Sequence, residues 1–140
     1  NDTAGSMARD SVTNASSVVR MITGKNLSDY DVHVNVVGGG NIDGPSAGAA
    51  ITCAIISALT GKPLRQDIAV TGEISLSGRI KPVGGIAEKA FGAHQGGMKA
   101  ILIPKQNAPD MGSEYMHMKV IPVDTIQDIL EHMLVRKNRK

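Results

Sequence analysis

The chain has 140 residues, the length of one domain and enough to bury a substantial core, and its net charge of +2 singles out no strongly charged partner. One cysteine, Cys53, excludes an internal disulfide framework. No signal-peptide pattern opens the chain and no apolar run reaches the roughly 18 residues that a bilayer demands, so the expectation is a cytoplasmic protein without a membrane partner.

One Phe, two Tyr and no Trp leave the core to Ala, Val, Ile, Leu and Met. In chain order, Met7, Val12, Ala15, Val18, Val19 and Ile22 recur at helical spacing and predict a helix from Ser6 to Thr23, capped by Gly24. DVHVNVV alternates Val32, Val34 and Val36 with His33 and Asn35, which predicts a strand. A nearly all-apolar helix follows from Ser46 to Thr60, closed by Gly61, with Cys53 inside it as a small core filler. IAVTGEISLSGRIKPVGG reads as short β segments around a turn at Ser77-Gly78. A third helix spans Ile86 to Gln95 and stops at Gly96-Gly97; AILIP and KVIPV are short strands, and a last helix runs from Thr125 to about Val135. Strands alternating with helices make the fold α/β. The tail Arg136, Lys137, Arg139, Lys140 has no aromatic platform beside it and reads as a solvated end, so nucleic acid is not indicated.

The stretch GGGNIDGPSAGAA sets Ser46 between a glycine-rich turn and a run of helix formers. A phosphate loop of the form G-x-x-x-x-G-K-[ST] fits the spacing of Gly39, Gly44 and Ser46 but needs a lysine at Pro45. Proline supplies neither an ammonium nor a backbone N–H, and no dinucleotide fingerprint replaces it, so nucleotide binding by this loop is excluded. Gly44-Pro45-Ser46-Ala47-Gly48 also matches G-x-S-x-G, a turn that can present a serine oxygen where free helix N–H groups stabilise an oxyanion. The plainer alternative is that Ser46 only caps the helix.

A serine nucleophile needs a base. The downstream histidines His94, His117 and His132 do not fall in a loop after a strand as a hydrolase triad requires, and His132 reads as a surface residue. The other available base is a lysine. Lys89 stands at the i+3 position of a stripe formed by Ile86, Ala90, Ala93 and Gly97, whereas Ala87, Glu88 and Gln95 form the wetter side. On such a stripe a lysine either snorkels to water or is desolvated, and desolvation favours the neutral amine that acts as a base. No metal site is read from the sequence.

DGPSAG, AVTGEISLSGRIKPVGGIAEK and GGMKAILIPKQN together resemble the proteolytic domain of Lon, the ATP-dependent Ser–Lys protease family, over about Gly5 to Val135. The resemblance implies the Lon proteolytic-domain fold, a mixed sheet with packed helices whose N-terminal strands and AAA+ ATPase domain lie upstream. The chain would then be one domain, residues 1–140, cut from a longer polypeptide. It also implies that Ser46 is the nucleophile, that Lys89 of the GG-x-x-EK motif is the base, and that Thr71 of TGE hydrogen-bonds that lysine. Asp43, Glu73 and His33 match family positions near the site, where a structural role is as fitting as a catalytic one. Gly44, Pro45 and Ala47 form the turn whose backbone serves the oxyanion. VVGGGNI before DGPSAG and Ala87 inside the lysine motif depart from the best-known branch and leave the subfamily open.

The implied function is a serine endopeptidase acting on unfolded or damaged polypeptides in a homo-hexameric ring. No cofactor is implied in this domain, and ATP with Mg²⁺ is implied for the AAA+ domain. A rival from another class is a Lon-fold module without proteolysis, as carried by a DNA-repair ATPase. Such modules keep GE-x-x-L-SG-x-x-x-PV but lose the dyad, whereas Ser46 and Lys89 are both present. A plain esterase is weakened by the missing acid–histidine pair.

Overall fold

The computed structural model describes residues 14–26 and 48–135. The described part of the first helix, α1, covers 14–23, and Gly24 ends it with a left-handed φ of 75° while its N–H donates to the Arg20 carbonyl at 2.8 Å. α2 runs Gly48–Thr60 and stops in the same way at Gly61, φ 70°. The expected strand at 31–37 and the segments before Asn14 lie outside the described residues.

Strands β1 (Ile68–Val70), β4 (Ala100–Pro104) and β6 (Met118–Val123) are parallel, and β5 (Glu114–Tyr115) pairs antiparallel with β6. The sheet order is β1-β4-β6-β5. A separate two-residue hairpin, β2 (Glu73–Ile74) with β3 (Ile80–Lys81), leads into α3 (Ile86–Gln95). Strand side chains alternate between two faces, and each face carries its own core. Ile68, Ala100, Leu102 and Val123 join α1, α2 and α4 (Ile126–Met133) on one side. Ile101, Ile103, Met118 and Val120 join Ile86 and Ala90 of α3 on the other. All five residues of β4 are buried, because a central parallel strand covered by helices on both faces has no wet side.

The core is as poor in aromatics as the composition predicts. The chain's one phenylalanine, Phe91, is half-exposed, while Ile56, Ile74, Ile101, Leu102, Ile103, Ile126 and Ile129 are fully buried. Cys53 is 1% exposed and burial pushes its thiol up to about 12, which makes it the inert core filler expected of it.

Five features differ from the sequence reading or were absent from it. The last helix ends at Met133, because Leu134 forms an antiparallel bridge with Leu64 and the Val135 N–H bonds the Pro63 carbonyl at 2.9 Å. Lys105–Asp110 forms a 3₁₀ helix, and β5 turns into β6 through Met116 (φ 49°) and His117 (φ 70°). Two left-handed residues are what a tight hairpin turn demands, but without Asn or Gly they carry no sequence signal. α3 stops at Gly96-Gly97 as expected, so Gly97, exposed with φ 78°, lies beyond the helix rather than on its apolar stripe, and His132 is half-buried rather than on the surface.

Thr125 caps α4 with a full capping box. Its hydroxyl accepts the Asp128 N–H at 3.3 Å, and the Asp128 carboxylate accepts the N–H groups of Asp124 at 2.9 Å and Thr125 at 3.1 Å. The Asp124 N–H is the largest cause holding the Asp128 carboxyl below the ordinary range. A depressed carboxyl stabilises the fold fully above its unfolded pKa and loses that contribution as pH falls through the folded one. Asp128→Ala should therefore cost about 1 kcal/mol at neutral pH. Urea melts at pH 7 and below pH 3 should show the gap between wild type and variant closing in acid.

Candidate active site

The site is built at the carboxyl end of β1. Thr71, buried, extends the parallel ladder by donating its N–H to the Leu102 carbonyl at 3.1 Å. Gly72 then turns the chain at φ 153°, where a Cβ would stand 2.6 Å from Ile80 Cγ2, so only glycine fits. The Gly72 carbonyl accepts the Ala49 N–H at 3.1 Å. That amide is in the first turn of α2, where N–H groups have no partner inside the helix. One residue earlier, a Cβ on Gly48 would meet Ile74 at 3.1 Å from Cγ2 and 3.2 Å from N. The second glycine of G-x-S-x-G is thus a close-packing residue that seats the start of α2 on the TGE segment. Ser46 is two positions earlier in the chain.

α3 brings the lysine. The helix connects β1 to its parallel neighbour β4 and must run back against them, so its N-terminus lies at the strands' carboxyl ends. Ile86 and Ala90 anchor it on Ile101 and Ile103. Lys89 shares that stripe with Ala93 and is half-buried. Its N–H donates to the Gly85 carbonyl at 3.1 Å in the first helical turn. Gly85 is left-handed at φ 64°, and a Cβ there would stand 2.8 Å from Glu88 Oε1 and 3.9 Å from Lys89 Nζ. Both side chains therefore reach back over Gly85, toward the strand ends, as helical side chains lean toward the N-terminus.

Thr71 and the first turn of α3 are thus brought to one end of the sheet, together with the start of α2. Glu73 faces across the hairpin to Lys81 at 3.5 Å, a half-exposed pair worth about 0–1 kcal/mol. Ser46, Asp43, His33, Gly44, Pro45 and Ala47 lie outside the described residues. The described histidines are elsewhere. His94 is in the last turn of α3 with its ring edge-on to Tyr115 at 6.3 Å, His117 is in the β5–β6 turn, and His132 is in the last turn of α4.

One residue went unnoticed in the sequence. Asn107, buried in the 3₁₀ helix after β4, accepts from the Val83 N–H and donates to the Val83 carbonyl, both at 3.0 Å. An asparagine after a strand reads as an ordinary turn former, and nothing local announces a partner 24 positions away.

Gly72→Ala should destabilise the fold by about 1–3 kcal/mol through its backbone conformation alone. Because Gly72 also holds α2, the variant should lose any activity of this site at temperatures where it is still folded. Thermal melts with parallel rate measurements check both effects, and an active, stable variant would refute the clamp.

A profile of the Lon protease (S16) C-terminal proteolytic domain matches residues 3–136. The chain is 40% identical over 140 residues to an archaeal Lon protease of Archaeoglobus fulgidus, covering 95% of the chain and 22% of the relative. It is 43% identical over 130 residues to Lon protease 2 of Bacillus subtilis, covering 93% and 23%. Against a Lon protease of Azospirillum brasilense it is 47% identical over 112 residues, covering 76% and 14%. The chain therefore spans less than a quarter of these relatives' length. All three are proteases by name, and the non-proteolytic reading finds no support among them. The α/β architecture with its mixed sheet agrees with the match, and the chain belongs to the family of the Lon-type (S16) serine peptidase proteolytic domain.

Proposed function

We propose that this domain hydrolyses peptide bonds of unfolded or damaged polypeptides with a Ser46–Lys89 dyad. The observation that carries the reading is the convergence at one strand end. Lys89 on the first turn of α3 leans toward the end where Thr71 lies and where the start of α2 is tied to Gly72. Neutral Lys89 takes the Ser46 proton as the Ser46 oxygen attacks the carbonyl carbon. Backbone N–H groups of the Gly44–Ala47 turn hold the oxyanion. The lysinium then protonates the leaving amine, and water, deprotonated by Lys89, hydrolyses the acyl-enzyme. Thr71 orients the lysine, and Asp43, Glu73 and His33 shape the surroundings.

The wider setting belongs to the same proposal. Family membership supports an AAA+ motor using ATP and Mg²⁺ elsewhere in the full protein, and a homo-hexameric ring that confines the sites. Among the described residues no helix is long and apolar enough to cross a membrane, which is compatible with the cytoplasmic location we propose.

Arginine stays protonated at working pH and cannot serve as a base. Lys89→Arg and Lys89→Gln should each abolish turnover as fully as Ser46→Ala, and a double variant should be no worse, because the pair acts as one unit. Steady-state hydrolysis of a short peptide tests this, and near-normal activity in folded Lys89→Arg would remove the dyad. The 140-residue chain alone should hydrolyse no ATP and should cleave short or unfolded peptides without regard to nucleotide. ATP-stimulated degradation of a stable folded substrate by this chain would contradict the division of labour.

A further inference from the structure

We infer that Asn107 is a positioning residue for Lys89, holding the segment that launches α3 so that the lysine meets the strand end at a fixed distance. The inference rests on the dyad proposed above. Residues 82–85 between β3 and α3 read Pro-Val-Gly-Gly. Pro82 has no N–H to donate, and Gly84 and Gly85 carry the largest backbone freedom of any residue. Gly85 is the N-cap of α3 and offers no side-chain cap. Apart from the Val83 side chain, which packs against the core under α3, little within the segment itself fixes where the helix begins.

The Asn107 side chain supplies that constraint. Its amide accepts from the Val83 N–H through Oδ1 and donates to the Val83 carbonyl through Nδ2, both at 3.0 Å. One planar group thereby satisfies both polar groups of one peptide residue, as a neighbouring strand would. Asn107 is only 7% exposed and stands in the 3₁₀ helix that leaves the carboxyl end of β4. It is thus fixed to the central strand of the sheet and fixes the loop in turn. The chain of constraint runs from β4 through Asn107 to Val83, Gly85 and the first turn of α3, where Lys89 sits.

Asparagine suits the task because it is both donor and acceptor at a short reach. Aspartate at 107 keeps the acceptor but faces the Val83 carbonyl with a second acceptor, and alanine loses both bonds. Displacement of a catalytic group by about 1 Å costs on the order of 10²-fold in rate. A loop released by two glycines permits that much.

The test is peptide hydrolysis by Asn107→Ala and Asn107→Asp in the protein, below the melting temperature of each variant and across pH. The expected result is a kcat lower by about 10- to 100-fold with KM within about threefold, and an altered rising limb of the pH–rate profile. Ile129→Val, a stability control in the core on the opposite face of the sheet, should leave kcat and the pH profile unchanged. A kcat within about twofold of wild type in either folded variant would overturn the inference, as would a change confined to KM. Failure of both variants to fold would make Asn107 a residue of stability only and would equally overturn it. Lys89→Arg in the same assay separates the two claims. If it is inactive while Asn107→Ala is normal, the positioning role falls and the dyad stands; if it is active, the dyad falls.

Discussion

A single backbone hydrogen bond, Ala49 N–H to the Gly72 carbonyl at 3.1 Å, joins the start of one helix to the end of one strand. The candidate site depends on this clamp. It requires bare glycine at Gly72, where a Cβ would strike Ile80, and is favoured by glycine at Gly48, where a Cβ would force Ile74 to shift by a few tenths of an ångström. The glycines that flank a reactive serine in such motifs are commonly credited with making the turn. Here the second of them lets a helix approach a strand turn closely enough for their backbones to bond.

The sheet supplies the rest of the geometry. α2 and α3 belong to opposite faces, each packed on its own set of alternating β4 side chains, Leu102 on one side and Ile101 and Ile103 on the other. Two helices on opposite faces can bring residues together only at an end of the sheet. Parallel strands with a helical crossover set the N-termini of such helices at the carboxyl ends. The buried parallel strands therefore bring the start of α2 on one layer and the first turn of α3 on the other to the same end of the sheet. The same layering explains why an aromatic-poor core suffices, since flat stacks of branched aliphatic side chains fill the space between sheet and helix.

Much of this was legible in the residues. The helices over 14–23, 48–60 and 86–95 and the strands AILIP and KVIPV follow from apolar spacing and glycine stops. The place of Lys89 on the α3 stripe was legible because a cation on an apolar stripe is a local anomaly. The 3₁₀ helix, the Met116-His117 turn and the early end of α4 were not, because each is decided by partners distant in sequence or by strain without a signature residue. Asn107 is the clearest case, since its meaning comes from Val83 across 24 positions and appears only once the chain is folded. The roles proposed for Ser46, Asp43 and His33, which lie outside the described residues, rest on the sequence pattern and on family membership.

The most direct measurement of the central claim is chemical. The protein is treated with a serine-reactive peptidyl inhibitor, and the modified residue is mapped by mass spectrometry after digestion. The account predicts one label per chain on the Ser46 oxygen, with labelling lost when Lys89 is replaced by arginine. A label on another serine, on Thr71 or on Cys53, or labelling of Ser46 that is indifferent to Lys89, would contradict it.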